Sequence, residues 1–575
     1  MKKEKIEEIL EHYEEMKAEK VPWTNMYQLV GEYVRLRKQN FNTTPTQGDF
    51  NTAKVFNTKA VIAARTMASA LQGIMWPNAA KTFAIEQPKR VKESVEEKTF
   101  FKKQTTIMHE YMDDNKSGLA LALNEVLNDA VTFGTVGLGV RTTDNIEEPI
   151  KYRAKDMLGL CIDEDSDGNV DTIAWEQQIK YRDLVKMYGE ENLPAKCVED
   201  YKDKKKWKEK ECVLIFMEPR EEEKRTNKGN KSYPIATYII LPKYKALIKE
   251  SGLIEQDILV SRFYKNTGEK LGRSPAIDAM PDILMVNEIN ESLDLAAEKL
   301  ANPPLGIYDD CVLGNDKVDV SAGGVLIVNS QSTRNGDPIF PIQTVGELKA
   351  AEFLIGNLEA SISQAFFIDM LLDFNNKVRM TLGEAQLRDK FRSQGLNAIF
   401  SRLESEIYNP LIATTYNRLL TLGLLGVEEG GPKYKELISK GIEPLVIPLS
   451  ILQRMKNGES VYEIRYTSPA RRMMRSEELS GTTEMLRLAE ETIKVLPDAR
   501  YKVDANKTMT VLSELSGGSP DIMRTDQEAE DLKSQDQQIA IQQMQVEGAG
   551  KLAAARRDVA LGDQASAIAR NTSKE

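Results

Sequence analysis

The chain has 575 residues, 41% hydrophobic and 29% charged, with a formal net charge of −11. Its length allows roughly three or four cores, and its acidic balance excludes a protein that coats nucleic acid by neutralising phosphates, though not one that DNA slides past. Two histidines, His12 and His109, nearly exclude a histidine-based triad or a His-rich metal site on inventory.

The N-terminal run MKKEKIEEILEHYEEMKAEK carries charge at every turn, which predicts a solvated amphipathic helix within residues 1–40 and an exposed His12. No run of eighteen apolar residues and no signal-peptide pattern occurs, so neither secretion nor stable membrane association is expected. A polar loop, NFNTTPTQGD, separates this helix from a second. The apolar face of the second uses Val55, Ala60, Ala63, Ala64, Met67, Ala68 and Leu71, and Pro77 stops it. The small residues suit close helix packing.

Residues 93–117 read as a charged helix, and SGLALALNEVLNDAVTFGTVGLGVRT as a helix running into a glycine-punctuated strand. Gly134, Gly137 and Gly139 lack the GxxxxGK[ST] order of a phosphate loop, so they predict a helix-to-strand turn with positive φ. From about 148 to 265 the pattern becomes short strands with charged turns, a β-rich body. DEDSDGN imitates a calcium loop, but no Glu stands at its closing position, which leaves an acidic β-turn. Acidic residues interleave with the lysine run around Trp207, the mark of a solvated turn. Cys161, Cys197, Cys212 and Cys311 have no CxxC spacing and read as reduced thiols.

The stretch Gly268–Leu425 organises the rest. A helix is predicted from Ser274 to Asn302, about 40 Å long at 1.5 Å per residue. Its apolar stripe is Ile283, Val286, Ile289, Leu293 and Ala297, and Glu288, Glu291, Asp294 and Glu298 give it an acidic surface. Pro303 and Pro304 end it. A short β-like insert follows, with Asp309, Asp310, Asn315, Asp316 and Lys317 as its polar residues. Its strand Val325–Val328 pairs either with a neighbouring copy or within the insert. A second helix is predicted from Thr344 to Phe367. Beyond it, Asn375, Asn376, Lys377 and Arg379 form a turn that either presents hydrogen-bond donors and positive charge or simply caps the next helix. That longest helix starts near Met380, with Gly395 and Pro410 as bends. Its basic residues Arg388, Lys390, Arg392 and Arg402 suit ion pairs with a neighbouring subunit. After Leu425 a linker leads to a segment of β character, then a helical region over 471–500 and a polar, Gln- and Ala-rich tail.

Six segments in this order resemble the bacteriophage head-to-tail connector family, the portal proteins of short-tailed podophages. They are FGTVGLGV (133–140), YKNTGEKLGRSPAIDAMPDILMVNE (264–288), AAEKLANPPLGIYDD (296–310), VRMTLGEAQLRDKF (378–391), LESEIYNPLIATTYNRLLTLGLL (403–425) and YEIRYTSPARRMMRSEE (462–478). The resemblance implies an α+β portal fold, in which residues 1–272 and 381–470 are the wing, the latter holding the long wing helix. The stem helices are 273–302 and 344–367, the small β clip is 303–343, the tunnel loop is 368–380, and the mostly helical crown is 471–575.

The same resemblance implies a homododecameric ring at one capsid vertex of the virion, assembled in the host cytoplasm. Double-stranded genomic DNA would pass through its channel during packaging and ejection. Glu288, Glu291, Asp294 and Glu298 would line that channel, and Asn375, Asn376, Lys377 and Arg379 would touch the DNA. The clip residues would dock the terminase large subunit and later the tail adaptor, with the major capsid and scaffolding proteins around the ring. No cofactor, metal or catalytic residue is expected. A packaging enzyme would need a P-loop or a metal-binding carboxylate cluster, and neither occurs at recognisable spacing. A tail adaptor or scaffold component without a channel is the other reading, disfavoured by the chain's length.

Overall fold

The computed structural model describes residues 2–36, 55–77, 82–88, 94–143, 145–202, 209–221, 225, 229–308, 321–322, 324–328, 339–341, 348–371, 395–459, 461–466 and 476–495, with scattered positions beyond 501. The chain forms two units, one of Met1–Lys92 and Glu96–Met474, the other of Glu93–Val95 and Arg475–Glu575.

Helix α1 (Lys2–Tyr33) opens the chain. Ile6, Ile9, Tyr13 and Met16 recur at three- and four-residue steps and pack against Cys161, Ala174, Leu214, Phe216 and Ile240. The amphipathic helix is thus packed along one stripe against the body, and only the expectation that it is solvated is corrected. Lys20 ends that stripe. Its buried ammonium donates to the carbonyls of Met157, Leu158 and Leu160 at 2.5, 2.9 and 2.7 Å, and burial lowers its pKa. His12 also departs from expectation, lying 3.2 Å from the Asp163 carboxylate and edge-on to Phe216.

Helices α2 (Lys59–Met75), α3 (Val95–Asp113) and α4 (Leu119–Phe133), with the short strand β1 (Phe83–Glu86) between the first two, contribute to the main core. The alanines of α2, with Met67 and Leu71, are buried, and α2 packs on α4. Val55 lies ahead of the helix and is only half-buried.

Strands β2 (Thr135–Thr142) and β3 (Ile150–Lys155) pair antiparallel. Next come β4 (Leu160–Glu164), β5 (Val170–Lys180), helices α5 (Tyr181–Tyr188) and α6 (Ala195–Lys202), and strands β6 (Lys210–Pro219), β7 (Ile235–Leu241) and β8 (Ala246–Leu253). Strands β4 to β8 form one antiparallel sheet in sequence order. The DEDSDGN segment joins β4 to β5, with Asp165 accepting from the amides of Asp167 and Asn169 at 2.9 and 2.8 Å. Strand β9 (Ile258–Arg262) returns to the free side of β2. Cys161, Cys197 and Cys212 are free thiols, and Cys311 lies outside the described residues.

The second half runs through α7 (Pro275–Asp278), α8 (Met280–Ala301), β10 (Leu305–Tyr308), β11 (Val325–Val328), β12 (Ile339–Pro341), α9 (Leu348–Ala365) and α10 (Ile368–Leu371). Helix α11 (395–403) passes through a π-helical turn, Glu404–Tyr408, into α12 (Asn409–Leu422). Pro410 cannot donate in the helical ladder, and the widened turn ahead of it is bonded from Asn409 N–H to Glu404 O. Residues 426–469 depart from the expected linker and β segment. They hold α13 (Pro432–Ser439) and α14 (Leu449–Lys456); among the described residues β character is limited to a parallel bridge between Val427 and Val446 and to β13 (Glu463–Tyr466), which pairs antiparallel with β1. The architecture is α+β. In the second unit α15 (Ser476–Val495) carries Arg487–Glu484 and Lys494–Glu490 ion pairs on its surface. Among the described residues no helix is long and apolar enough to cross a membrane.

Candidate channel arm

The arm grows from a backbone crossing that only glycine permits. Gly134, between α4 and β2, has φ +89°, and a Cβ there would meet the Gly272 carbonyl and lie 2.6 Å from the Arg273 carbonyl carbon. Phe263 N donates to Gly134 O at 2.7 Å, and Gly272 N to Thr135 Oγ1 at 2.7 Å. Ser274 then starts α7: its hydroxyl donates to Thr132 O at 2.7 Å and accepts from Ile277 N at 3.2 Å. The expected single helix from Ser274 to Asn302 is two helices. Pro281 has no N–H for the Ile277 carbonyl, so the chain stops at Asp278 and restarts at Met280.

An ionic hub holds this root to the body. Arg262 is 3% exposed, and its guanidinium pairs with Glu164 of β4 and, at 2.7 Å, with Glu406 of the π turn. Its backbone N–H also donates to Glu406 at 2.7 Å. Lys265 meets Glu164 at 2.7 Å and Arg402 meets Glu406 at 3.0 Å. Two partly buried carboxylates among three cations are each matched, which is the condition for such charges to leave water. Arg402, expected to pair with a neighbouring subunit, finds its partner inside its own chain; Arg388, Lys390 and Arg392 lie outside the described residues. Arg273 grips Glu269 with two nitrogens and lies over the Trp23 ring.

Helices α8 and α9 form the arm itself, antiparallel, with Asp282 accepting from Ser361 Oγ at 2.6 Å near the foot. Ile283 and Val286 are buried and Ile289 and Leu293 half-buried, but the stripe then ends: Ala297 is exposed and Ala296 is half-buried in its place. Further along, Leu295, Leu300, Phe353 and Leu354 are 54%, 62%, 70% and 47% exposed. Glu288, Glu291, Asp294 and Glu298 are all exposed on α8, and among the described residues none has an ion-pair partner. Asn287, whose importance the sequence does not announce, is buried between them and the body, where it receives the backbone amides of Phe56 and Asn57.

Strand β11 pairs parallel with β10, whose other edge takes β12, so within the insert the pairing is internal to the chain. The polar insert residues Asp309, Asp310, Asn315, Asp316 and Lys317 lie outside the described residues. So do Asn375, Asn376, Lys377 and Arg379.

Two curated phage proteins are similar over most of the chain. A probable portal protein of Bordetella phage BPP-1 is 21% identical over 427 residues, covering 72% of this chain and 75% of that protein. The portal protein of Salmonella phage epsilon15 is 22% identical over 429 residues, covering 73% of this chain and 71% of that one. The family of bacteriophage head to tail connecting proteins matches residues 6–426, a span that takes in the backbone crossing, the ionic hub and both arm helices. The chain belongs to the bacteriophage head to tail connecting protein family.

Proposed function

We propose that this chain is a phage portal subunit, closing with copies of itself into a dodecameric ring at one capsid vertex of the virion. Genomic double-stranded DNA enters through the ring during packaging and leaves through it during ejection. The chain does no chemistry of its own, and a separate terminase ATPase drives the DNA. Residues 1–272 and 381–470 form the wing, 273–302 and 344–367 the stem, 303–343 the clip, 368–380 the tunnel loop and 471–575 the crown. The clip meets the terminase large subunit and then the tail adaptor, and the major capsid and scaffolding proteins surround the ring.

The observation that carries this reading is the surface of the arm. Four large apolar side chains stand in water beside four exposed carboxylates on helices that the family match covers. Apolar side chains clustered on the outer half of an arm mark a contact surface. Packed on the next copy's arm, they would leave Glu288, Glu291, Asp294 and Glu298 to face a passage that weakly repels a polyanion and so does not trap it.

Reversing those four charges tests the channel wall. With Glu288→Lys, Glu291→Lys, Asp294→Lys and Glu298→Lys combined, packaging is expected to slow at low salt. It should recover as the Debye length falls from about 30 Å at 0.01 M to about 8 Å at 0.15 M. Unchanged packaging at both salts would remove these residues from the wall. For the tunnel loop, support comes from the sequence alone. Asn376→Ala, Lys377→Ala and Arg379→Ala together should reduce packaged DNA while rings still form, and full-length genomes at normal yield would contradict the assignment.

A further inference from the structure

A third chain segment, residues 55–58 leading into α2, is bound at the foot of the arm between α8 and α9. Asn287 of α8 is 4% exposed: Oδ1 accepts from Phe56 N at 2.8 Å and Asn57 N at 2.9 Å, and Nδ2 donates to Ile283 O at 2.7 Å. The Asn57 side chain continues the bridge. Its Oδ1 accepts from Lys59 N at 2.8 Å, at the entry to α2, and its Nδ2 donates to Glu359 Oε1 on α9 at 2.9 Å. Asn290 Nδ2 adds a contact of 3.5 Å to Phe56 O.

A continuous polar path thus runs from one arm helix, through the 56–57 backbone, to the other. One direct bond between the helices, Ser361 Oγ to Asp282, lies nearer the foot, and past the 56–57 crossing the far ends of α8 and α9 expose apolar side chains. About 21 Å of α8 lies past Asn287 at 1.5 Å rise per residue, so a change of about 10° in splay moves its end by about 4 Å.

We propose that residues 55–58 are a polar staple that sets the splay of the arm, with Asn287, Asn57 and Glu359 as its positioning residues. The staple deepens the channel reading, because splay at the foot sets the width between arm tips in a ring. It is nevertheless a property of a single chain. The two amides it satisfies lie at a partly buried helix junction, where leaving them unpaired is costly. A leucine at 287 would fill the space without holding either of them.

Spin labels on exposed Glu298 and Glu352, introduced through an orthogonally coupled amino acid that leaves the native cysteines alone, report the distance between the far ends. Labelled full-length chain is diluted into excess unlabelled chain, so that pairs within one chain dominate. Asn57→Ala should broaden the distribution and move its mean by about 2–4 Å, the shift expected of a lever of this length. Asn57→Asp should do more, by setting two carboxylates together. The pair Asn57→Asp with Glu359→Gln should restore the original distance, donor and acceptor having changed sides. A core control, Ile283→Val, should leave the distance unchanged even if it lowers Tm as much. Asn287→Ala is the most severe variant, and the half-buried Asn57 decides the matter if it does not fold. An unmoved distribution in both Asn57 variants, or no recovery in the swapped pair, overturns the staple. A shift with unaltered DNA packaging upholds the staple and counts against the channel reading.

Discussion

Arg262 shows how far apart in sequence the residues of one contact lie. Its two acidic partners are 98 and 144 positions away, and each is also met by a second cation, Lys265 for Glu164 and Arg402 for Glu406. Arg262→Ala removes the buried central cation while each carboxylate keeps one partner, and should cost about 1.5–3 kcal/mol in denaturant unfolding. Replacing the whole set by apolar side chains, Arg262→Met with Glu164→Leu and Glu406→Leu, should recover much of it, and a single variant no worse than the triple would contradict the hub. Lys155 makes a second test. Burial, then the nearby charge of Arg153, lowers its pKa from 10.5 to about 8, with the ammonium over the Trp175 ring. Below pH 8 the folded chain holds a charge it disfavours; between about 8 and 10.5 the folded form sheds the proton while the unfolded chain keeps it, so this group's contribution to stability rises with pH. The Tm advantage of Lys155→Met should therefore be largest near pH 7 and shrink toward pH 10, and a gap independent of pH would contradict the burial. None of these residues could be chosen from the sequence. A charged or amide side chain reads alike whether solvated or buried, and its partner is set by topology.

Elements were more legible, because their signals are local. The alanine-lined face of α2, the glycine turn at Gly134 and the broken calcium loop at Asp165 each follow from spacing or from one residue's backbone freedom. Gly134→Ala should be strongly destabilising for the same reason, since it adds a Cβ at positive φ against the backbone of Gly272. The misreadings have physical causes too. Pro281 divides a continuous apolar periodicity, and the short proline-led helices α13 and α14, with only eight residues to show a period, resemble a linker and a strand respectively. At this scale the arm surface is directly testable. Phe353→Asp with Leu300→Asp removes exposed apolar area, so the isolated chain should keep its Tm to within a few degrees while assembly, followed by sedimentation, is lost. Unchanged assembly would place the contact elsewhere.

At the scale of the whole molecule, the family match and the two portal relatives set the chain among phage connecting proteins, and the arm surface is what the proposed ring would use. The acidic helices mean little on a monomer, where four exposed carboxylates would simply be solvated. In the proposed ring they would form a wall, and the staple at residues 55–58 would set its width. The most direct measurement is electron microscopy of the purified full-length protein together with its particle mass. The account predicts closed rings with an open centre, the arms packed side by side through Phe353 and Leu300, and a mass that is an integral multiple of 64.7 kDa. A folded protein that stays monomeric at micromolar concentration and above, or assembles without a central opening, would contradict it.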